Sequence, residues 1–290
     1  MSVKIAVLSG KGGTGKTTIA VNLAYVLSKK YSVQLLDADV EEPDSHLFFR
    51  FNEEITEEIV SLMIPEVDPE KCTKCGLCGQ ECQFGAINVY QTGVLVFKNL
   101  CHGCGVCSLV CPENAIKEVP KELGVIRKMK TDNNISYAEG ILKIGEISGV
   151  KVISELKQNY SNAQVIVIDS PPGSSCPVVE TLRGMDHALV VTEDSAFGLH
   201  DMETVVKILG EMGITYSIIL NKYREDSKND KHTQVFDEKY SDSIVLKIPL
   251  DKDIAALHSN GKLFVKNYPV LADQMMSIIS TIIAEKETFK

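Results

Sequence analysis

Eight of the nine cysteines in this 290-residue chain fall in one short stretch, and their spacing repeats. Cys72, Cys75, Cys78 and Cys82 recur as Cys101, Cys104, Cys107 and Cys111, each shifted by 29 residues. Both halves read Cys-x2-Cys-x2-Cys-x3-Cys. Gly76, Ala86 and Ile87 map onto Gly105, Ala115 and Ile116 at the same offset. Thiolates are soft donors that suit iron–sulfur clusters, and such short spacings let one loop wrap three corners of a cube. Zinc sites more often pair two short motifs than string four cysteines in one run. The stretch is therefore expected to hold two [4Fe-4S] clusters.

A second constellation lies near the start of the chain. Gly10-Lys11-Gly12-Gly13-Thr14-Gly15-Lys16-Thr17, followed by Thr18, fits the phosphate-binding loop pattern between an apolar run and a helical pattern. Glycines let backbone N–H groups curl around phosphate oxygens, and a helix N-terminus adds its positive dipole end. Lys16 is expected to reach the β- and γ-phosphates of ATP or ADP, and Thr17 to ligate Mg²⁺.

The elements that must position these residues follow from periodicity. Lys4 to Ser9 is an apolar run of buried-strand type, and Thr17 to Lys29 carries apolar residues at helical spacing. Further strands are expected at Val33 to Leu36, Gln164 to Ile168, Ala188 to Thr192, Tyr216 to Leu220 and Ile244 to Ile248, with a helix over Leu199 to Met212. This alternation predicts an α/β fold, a mostly parallel sheet covered by helices on both faces. It breaks at the cysteine repeat. Residues 63–118 are expected to form a small inserted α+β domain, leaving 1–62 and 119–290 as a discontinuous nucleotide domain. Pro65, Pro69 and Pro120 read as linkers. Ile87 to Tyr90 and Val94 to Phe97, around Gln91-Thr92-Gly93, read as a small hairpin.

With its second lysine at Lys11, the loop resembles the deviant Walker-A family of P-loop ATPases. That family includes MinD, ParA, the nitrogenase iron protein and the Mrp-type cluster carriers. The resemblance implies a nucleotide-dependent homodimer in which Lys11 crosses to the partner's nucleotide and stabilises transition-state charge. It makes Asp39 the group that orients or deprotonates the attacking water, and Asp37 a support for Mg²⁺. It makes Asp169, in Asp169-Ser170-Pro171-Pro172-Gly173, a Mg²⁺ ligand through water, and Gly173 a backbone N–H donor to the γ-phosphate. Asn221-Lys222 and the loop from Pro249 to Asp251 resemble the family's adenine contacts. The cysteine spacing resembles bacterial ferredoxins, in which the fourth cysteine serves the other cluster. That implies Cys72, Cys75, Cys78 and Cys111 around one cluster, and Cys82, Cys101, Cys104 and Cys107 around the second. Cys111 is followed by Pro112, as in ferredoxins, whereas Cys82 is followed by Gln83. With Phe197-Gly198-Leu199-His200-Asp201, the whole chain is similar to MinD-superfamily ATPases carrying an inserted ferredoxin domain.

The remaining residues narrow the function. The formal net charge of -9 disfavours general nucleic-acid binding. No apolar run reaches membrane-span length, and the start does not read as a signal peptide, so a cytoplasmic location without stable membrane association is expected. Glu53, Glu54, Glu57 and Glu58 read as a solvated helix face. The tail from Leu271 to Ile283 reads as a core-packed helix; Lys286 and Lys290 are offset by Glu285 and Glu287, unlike a basic membrane-binding tail. His102 and His187 read as ordinary loop or surface histidines. Cys176 is expected to be buried and inert, as free cysteines commonly are. The nitrogenase iron protein has a cluster cysteine at the same offset from its switch aspartate, so the other readings are a cluster or metal shared across a dimer, or a thiol reporting the switch state. The leading functional expectation is ATP-gated electron transfer through two [4Fe-4S] clusters to a redox partner. The alternative is an ATP-dependent carrier delivering clusters or metal to an acceptor protein; a MinD-like spatial organiser ranks lower.

Overall fold

The computed structural model describes residues 2–52, 55–225 and 230–288. Strands β1 (Val3–Leu8), β2 (Val33–Asp37), β8 (Val165–Asp169), β9 (His187–Glu193), β10 (Thr215–Tyr223) and β11 (Ile244–Pro249) fall where the apolar runs place them. Three more strands, β3 (Thr56–Val67), β6 (Ile116–Lys130) and β7 (Ser136–Leu142), join them in one nine-stranded sheet of order β11-β10-β9-β1-β8-β2-β7-β6-β3. Strands β11 through β7 run parallel; β6 is antiparallel to β7, and β3 to β6.

Two apolar layers explain why the central strands lack alternation. Ile5 and Val7 of β1 face α1 (Lys16–Leu27) and α9 (Pro269–Thr288), while Ala6 and Leu8 join the opposite core. That second core includes residues of α4 (Val150–Gln158), α5 (Cys176–Leu182) and α6 (Ala196–Met212). Leu271, Met275, Ile279 and Ile282 put α9 into the first core, as the tail pattern predicts. Each such side chain contributes roughly 1.5–3 kcal/mol. Lys290 lies outside the described residues.

The antiparallel edge corrects several expectations. Glu57 and Glu58 lie on β3, not on a helix, and pair with Arg127 (2.6 Å) and Lys128 (2.5 Å) of β6; Glu53 and Glu54 are outside the described residues. Pro65 and Pro120 are not linkers but sit inside β3 and β6, paired with Glu118 and Met63. Proline fits because β3 is the sheet's edge and β6 at Pro120 has run past the end of β7. The two-stranded ribbon of β3 and β6, with one register shift between Val60 and Ser61, carries positions 63 and 119 and ends at the Val67–Ile116 pair. Beyond it stand the expected hairpin, β4 (Ile87–Tyr90) with β5 (Gly93–Val96), and two one-turn helices, α2 (Leu77–Gln80) and α3 (Val106–Leu109).

His187 is not a surface residue. It is 8% exposed, and its ring nitrogens meet Thr215 Oγ1 (2.9 Å) and Ser217 Oγ (3.0 Å) on β10. Burial holds its pKa down to about 4, below the ordinary 6.5. The unfolded chain therefore binds a proton near pH 6.5 that the fold refuses. Stability from this site is full above that pH and falls as pH drops, by about 3 kcal/mol on reaching pH 4. Urea unfolding from pH 7 to pH 4 should show this slope, and His187→Gln should flatten it.

Candidate functional site

The phosphate loop joins β1 to α1 at the carboxyl end of the sheet, where open α/β sheets bind ligands. Gly13 (φ 79°) and Gly15 (φ 93°) take left-handed conformations that side chains resist. Gly10 is needed for a different reason: a Cβ there would stand 2.3 Å from the Asp201 carbonyl oxygen of α6. Beside the loop lies a cavity of about 490 Å³, with Lys11, Lys16, Thr17, Asp39, Asn221 and Pro249 in its wall. Gly12, Gly13, Gly15 and Thr18 also line it. Thr14 Oγ1 is buried without a partner among the described residues. An unpaired polar atom on a glycine loop that leads into the N-terminus of α1 fits a phosphate-bearing ligand.

Charge converges on Lys16. Its Nζ lies 2.8 Å from Asp169 Oδ1 and 3.6 Å from Asp39 Oδ2. Burial acts to lower its pKa, but Asp169 and Asp39 outweigh that and raise it. Burial pushes Asp39 up to about 6, against the pull of Lys16. Asp37, fully buried, is pushed well above the carboxylate range by burial and by Asp169 beside it. Its two oxygens accept from the N–H groups of Asp39 (3.1 Å) and Ser45 (3.0 Å), and Ser45 Oγ donates to Asp169 Oδ2 (3.3 Å).

Sequence reasoning missed Asp44. One carboxylate oxygen each from Asp37, Asp44 and Asp169 lies within 4.8 Å of the others, the hard-oxygen set a divalent cation takes. Nothing in the spacing flags Asp44; the short 3-10 turn Ser45–Phe48 carries it back toward Asp169. Asp44→Asn is expected to weaken Mg²⁺ binding on the order of tenfold to a hundredfold. Calorimetry of nucleotide binding with and without Mg²⁺ should show the loss only when Mg²⁺ is present.

Other expected contacts are engaged within the chain. Lys11 Nζ pairs with Glu193 Oε2 (2.9 Å), and Lys222 Nζ with Glu193 Oε1 (2.6 Å) and the Gly13 carbonyl (2.7 Å). Burial works against the Glu193 carboxylate, yet Lys222 and Lys11 hold its pKa below the usual value. Asn221 Nδ2 donates to the Thr14 carbonyl (2.7 Å), clamping the loop. Thr18 Oγ1 meets His258 Nδ1 (2.9 Å) on α8 (Lys252–Ser259). The Gly173 N–H is held by the Ser9 carbonyl (2.9 Å), so reaching a γ-phosphate requires that bond to open.

The eight clustered cysteines separate into two cavities. Cys72, Cys75, Cys78 and Cys111 line one; Cys82, Cys101, Cys104 and Cys107 line the other. Gly76 (φ 86°) and Gly105 (φ 74°) begin the matching turns α2 and α3. Ala86 N–H donates to Cys82 Sγ and Ala115 N–H to Cys111 Sγ, both at 3.3 Å. Among the described residues no three thiols lie mutually within 4.8 Å. His102 is exposed and stacks on Phe84 (centroids 3.9 Å) at the rim of the second cavity. Cys176 is exposed rather than buried, at the first turn of α5 beyond Asp169. The apolar face of α5 is instead filled by Val178 and Leu182.

Comparison with known proteins places this geometry. Residues 5–264 match the CobQ/CobB/MinD/ParA nucleotide binding domain. The chain belongs to that family. An uncharacterised protein of Methanocaldococcus jannaschii is 32% identical over 89% of this chain and 88% of its own length. The cytosolic Fe-S cluster assembly factor Nubp2 homolog of Aedes aegypti is 26% identical over 97% of this chain and 96% of its own. An iron-sulfur cluster carrier protein of Pyrococcus furiosus is 27% identical over 75% of this chain, which spans 60% of that protein. The septum site-determining protein MinD of Pyrococcus horikoshii, solved with Mg-ADP, shares the fold at a TM-score of 0.57 and 20% identity, over 99% of this chain and 96% of that one. No helix among the described residues is long and apolar enough to cross a membrane.

Proposed function

We propose that this family member is an ATP-hydrolysing iron–sulfur protein that handles clusters for acceptor proteins. One observation carries the reading. A nucleotide cavity with a cation-binding acidic set shares one sheet with a ribbon bearing two thiol quartets, in a chain related over 97% of its length to a protein named as a cluster assembly factor. Lys16 and the loop amides hold the phosphates of ATP. Thr17, Asp44 and Asp169, supported by Asp37, would hold Mg²⁺, which neutralises phosphate charge when bound. Asp39 orients the attacking water. Lys11, released from Glu193, acts on the nucleotide of a second copy in an ATP-dependent homodimer.

The two quartets would hold resident [4Fe-4S] clusters in an inserted ferredoxin-like domain, each completed by the fourth cysteine of the other repeat. The delivered cluster is a substrate. The exposed Cys176, contributed once by each protomer beside the Asp169 loop, is its candidate landing point. A second reading, ATP-gated electron transfer, is favoured by the all-thiolate quartets, since fully ligated clusters are suited to keep their iron and pass electrons. Reconstituted protein should be mixed anaerobically with an apo-acceptor, with and without MgATP. Delivery predicts iron moving to the acceptor only with MgATP, and much less from Cys176→Ala. Iron that stays in place while the cluster potentials shift with MgATP would replace delivery by electron transfer.

A further inference from the structure

The first thiol cavity takes Val67 and Ile116 from the tip of the ribbon, whereas the second takes Met63, Pro65 and Glu118, nearer the sheet. The second quartet is also packed on the ribbon itself. A Cβ on Gly103, between Cys101 and Cys104, would stand 2.5 Å from Leu62 Cδ1 of β3.

A continuous path runs from the nucleotide cavity to this quartet. Asp39 faces Lys16 in the cavity wall, and its neighbour Val40 is buried. The Val40 carbonyl accepts the Leu142 N–H at 2.7 Å, at the end of β7. Val40 also fills the space over two glycines: Cβ atoms on Gly140 and Gly149 would meet its methyls at 2.8 and 2.3 Å. Val40 therefore touches both ends of the 143–149 loop and cannot shift without moving it. That loop carries Glu146, whose Oε2 accepts from Lys121 Nζ of β6 at 2.6 Å. Lys121 Nζ also donates to Asn99 Oδ1 (2.9 Å) and the Lys98 carbonyl (3.4 Å), two and three residues before Cys101.

An ammonium has three donors, and here all three have acceptors. The Lys121 and Glu146 side chains are only 17% and 11% exposed, so solvent screens this pair less than a free surface pair. Phosphates arriving at Lys16 compete with Asp39 for its charge, which disturbs the segment that begins this path.

We propose that Lys121 is a positioning residue that ties the nucleotide loop to the second thiol quartet and leaves the first outside the coupling. The inference rests on the iron–sulfur reading for its meaning, but its test needs no iron. Amide hydrogen exchange of the full chain is followed by mass spectrometry with and without MgATP. In the parent protein, MgATP should change exchange over residues 98–107 by about tenfold, with residues 72–78 unmoved. Lys121→Met should abolish the change while leaving basal ATP hydrolysis as it was, and Lys121→Arg should retain it. Glu146→Gln, which weakens the link from its other end, should reduce it.

A change that persists in Lys121→Met, that reaches residues 72–78 equally, or that is missing from the parent protein overturns the proposal. Iron analysis of the same samples after anaerobic reconstitution reads the iron–sulfur assignment separately. A chain that binds no iron sinks that assignment, and the exchange data still decide Lys121.

Discussion

Replacing Lys16 with Met is expected to lower ATP turnover by at least about a thousandfold, because the only charge aimed at the β- and γ-phosphates from this loop position is lost. The same substitution should destabilise the chain without nucleotide. Lys16 is 7% exposed, and it is the cation against the buried Asp169 and, through it, Asp37. Removing one partner of a buried pair costs about 3 kcal/mol near neutral pH. Lowering the pH should shrink that loss, since a proton taken up by the acidic set removes the unpaired charge. Urea unfolding in a chelator at pH 7 and pH 5 reads the difference. A variant equally stable at both, and as stable as the parent, would mean that Lys16 does not neutralise the carboxylates.

The second large effect concerns the thiols. If the quartets hold clusters, Cys72→Ala should lower iron from about eight to about four per chain. The informative variants are the crossed ones. Cys111 lies in the second repeat but lines the first cavity with Cys72, Cys75 and Cys78. Cys111→Ala should therefore remove the same EPR signal as Cys72→Ala, and Cys82→Ala the same signal as Cys101→Ala. Signals that sort by repeat instead would mean that each run of four cysteines ligates its own cluster. Chelation of the parent protein should clear both signals and leave nucleotide binding in place.

Physical reasons separate what was legible in the sequence from what was not. The strands β1, β8 and β9 are buried on both faces, so continuous apolar runs mark them. The phosphate loop and the cysteine repeat are legible because their chemistry fixes spacing. The edge was hidden for the opposite reason. β3 and β6 carry Glu57, Glu58, Arg127 and Lys128, exposed charges whose pairing across strands 70 residues apart leaves no local pattern. Their prolines mimic linkers because only an unpaired edge tolerates them. Asp44 joins Asp37 and Asp169 through one short turn, a closeness that carries no periodic trace. Cys176 misled in the other direction: its type predicts burial, but it is the first residue of α5 and the helix turns Val178 inward instead.

The Val67–Ile116 pair has a thermodynamic consequence. A segment as long as residues 68–115 would ordinarily charge its host the entropy of bringing its two ends together. Here twelve strand pairs already hold those ends side by side, so the sheet does not depend on the segment being ordered. The small core at this end of the ribbon consists of Cys78, Ile87 and Ile116, packed by half-buried Val67, Val89, Val94, Val96, Cys82, Cys107 and Cys111. That buries much less surface than either face of the sheet, so the segment is the less stable part of the chain. The chain should therefore melt in two calorimetric steps, the first set by whatever the thiols hold and the second by the sheet. Heat or denaturant that opens the cysteine-bearing end would then leave the nucleotide domain folded, so that end can close again without refolding the rest.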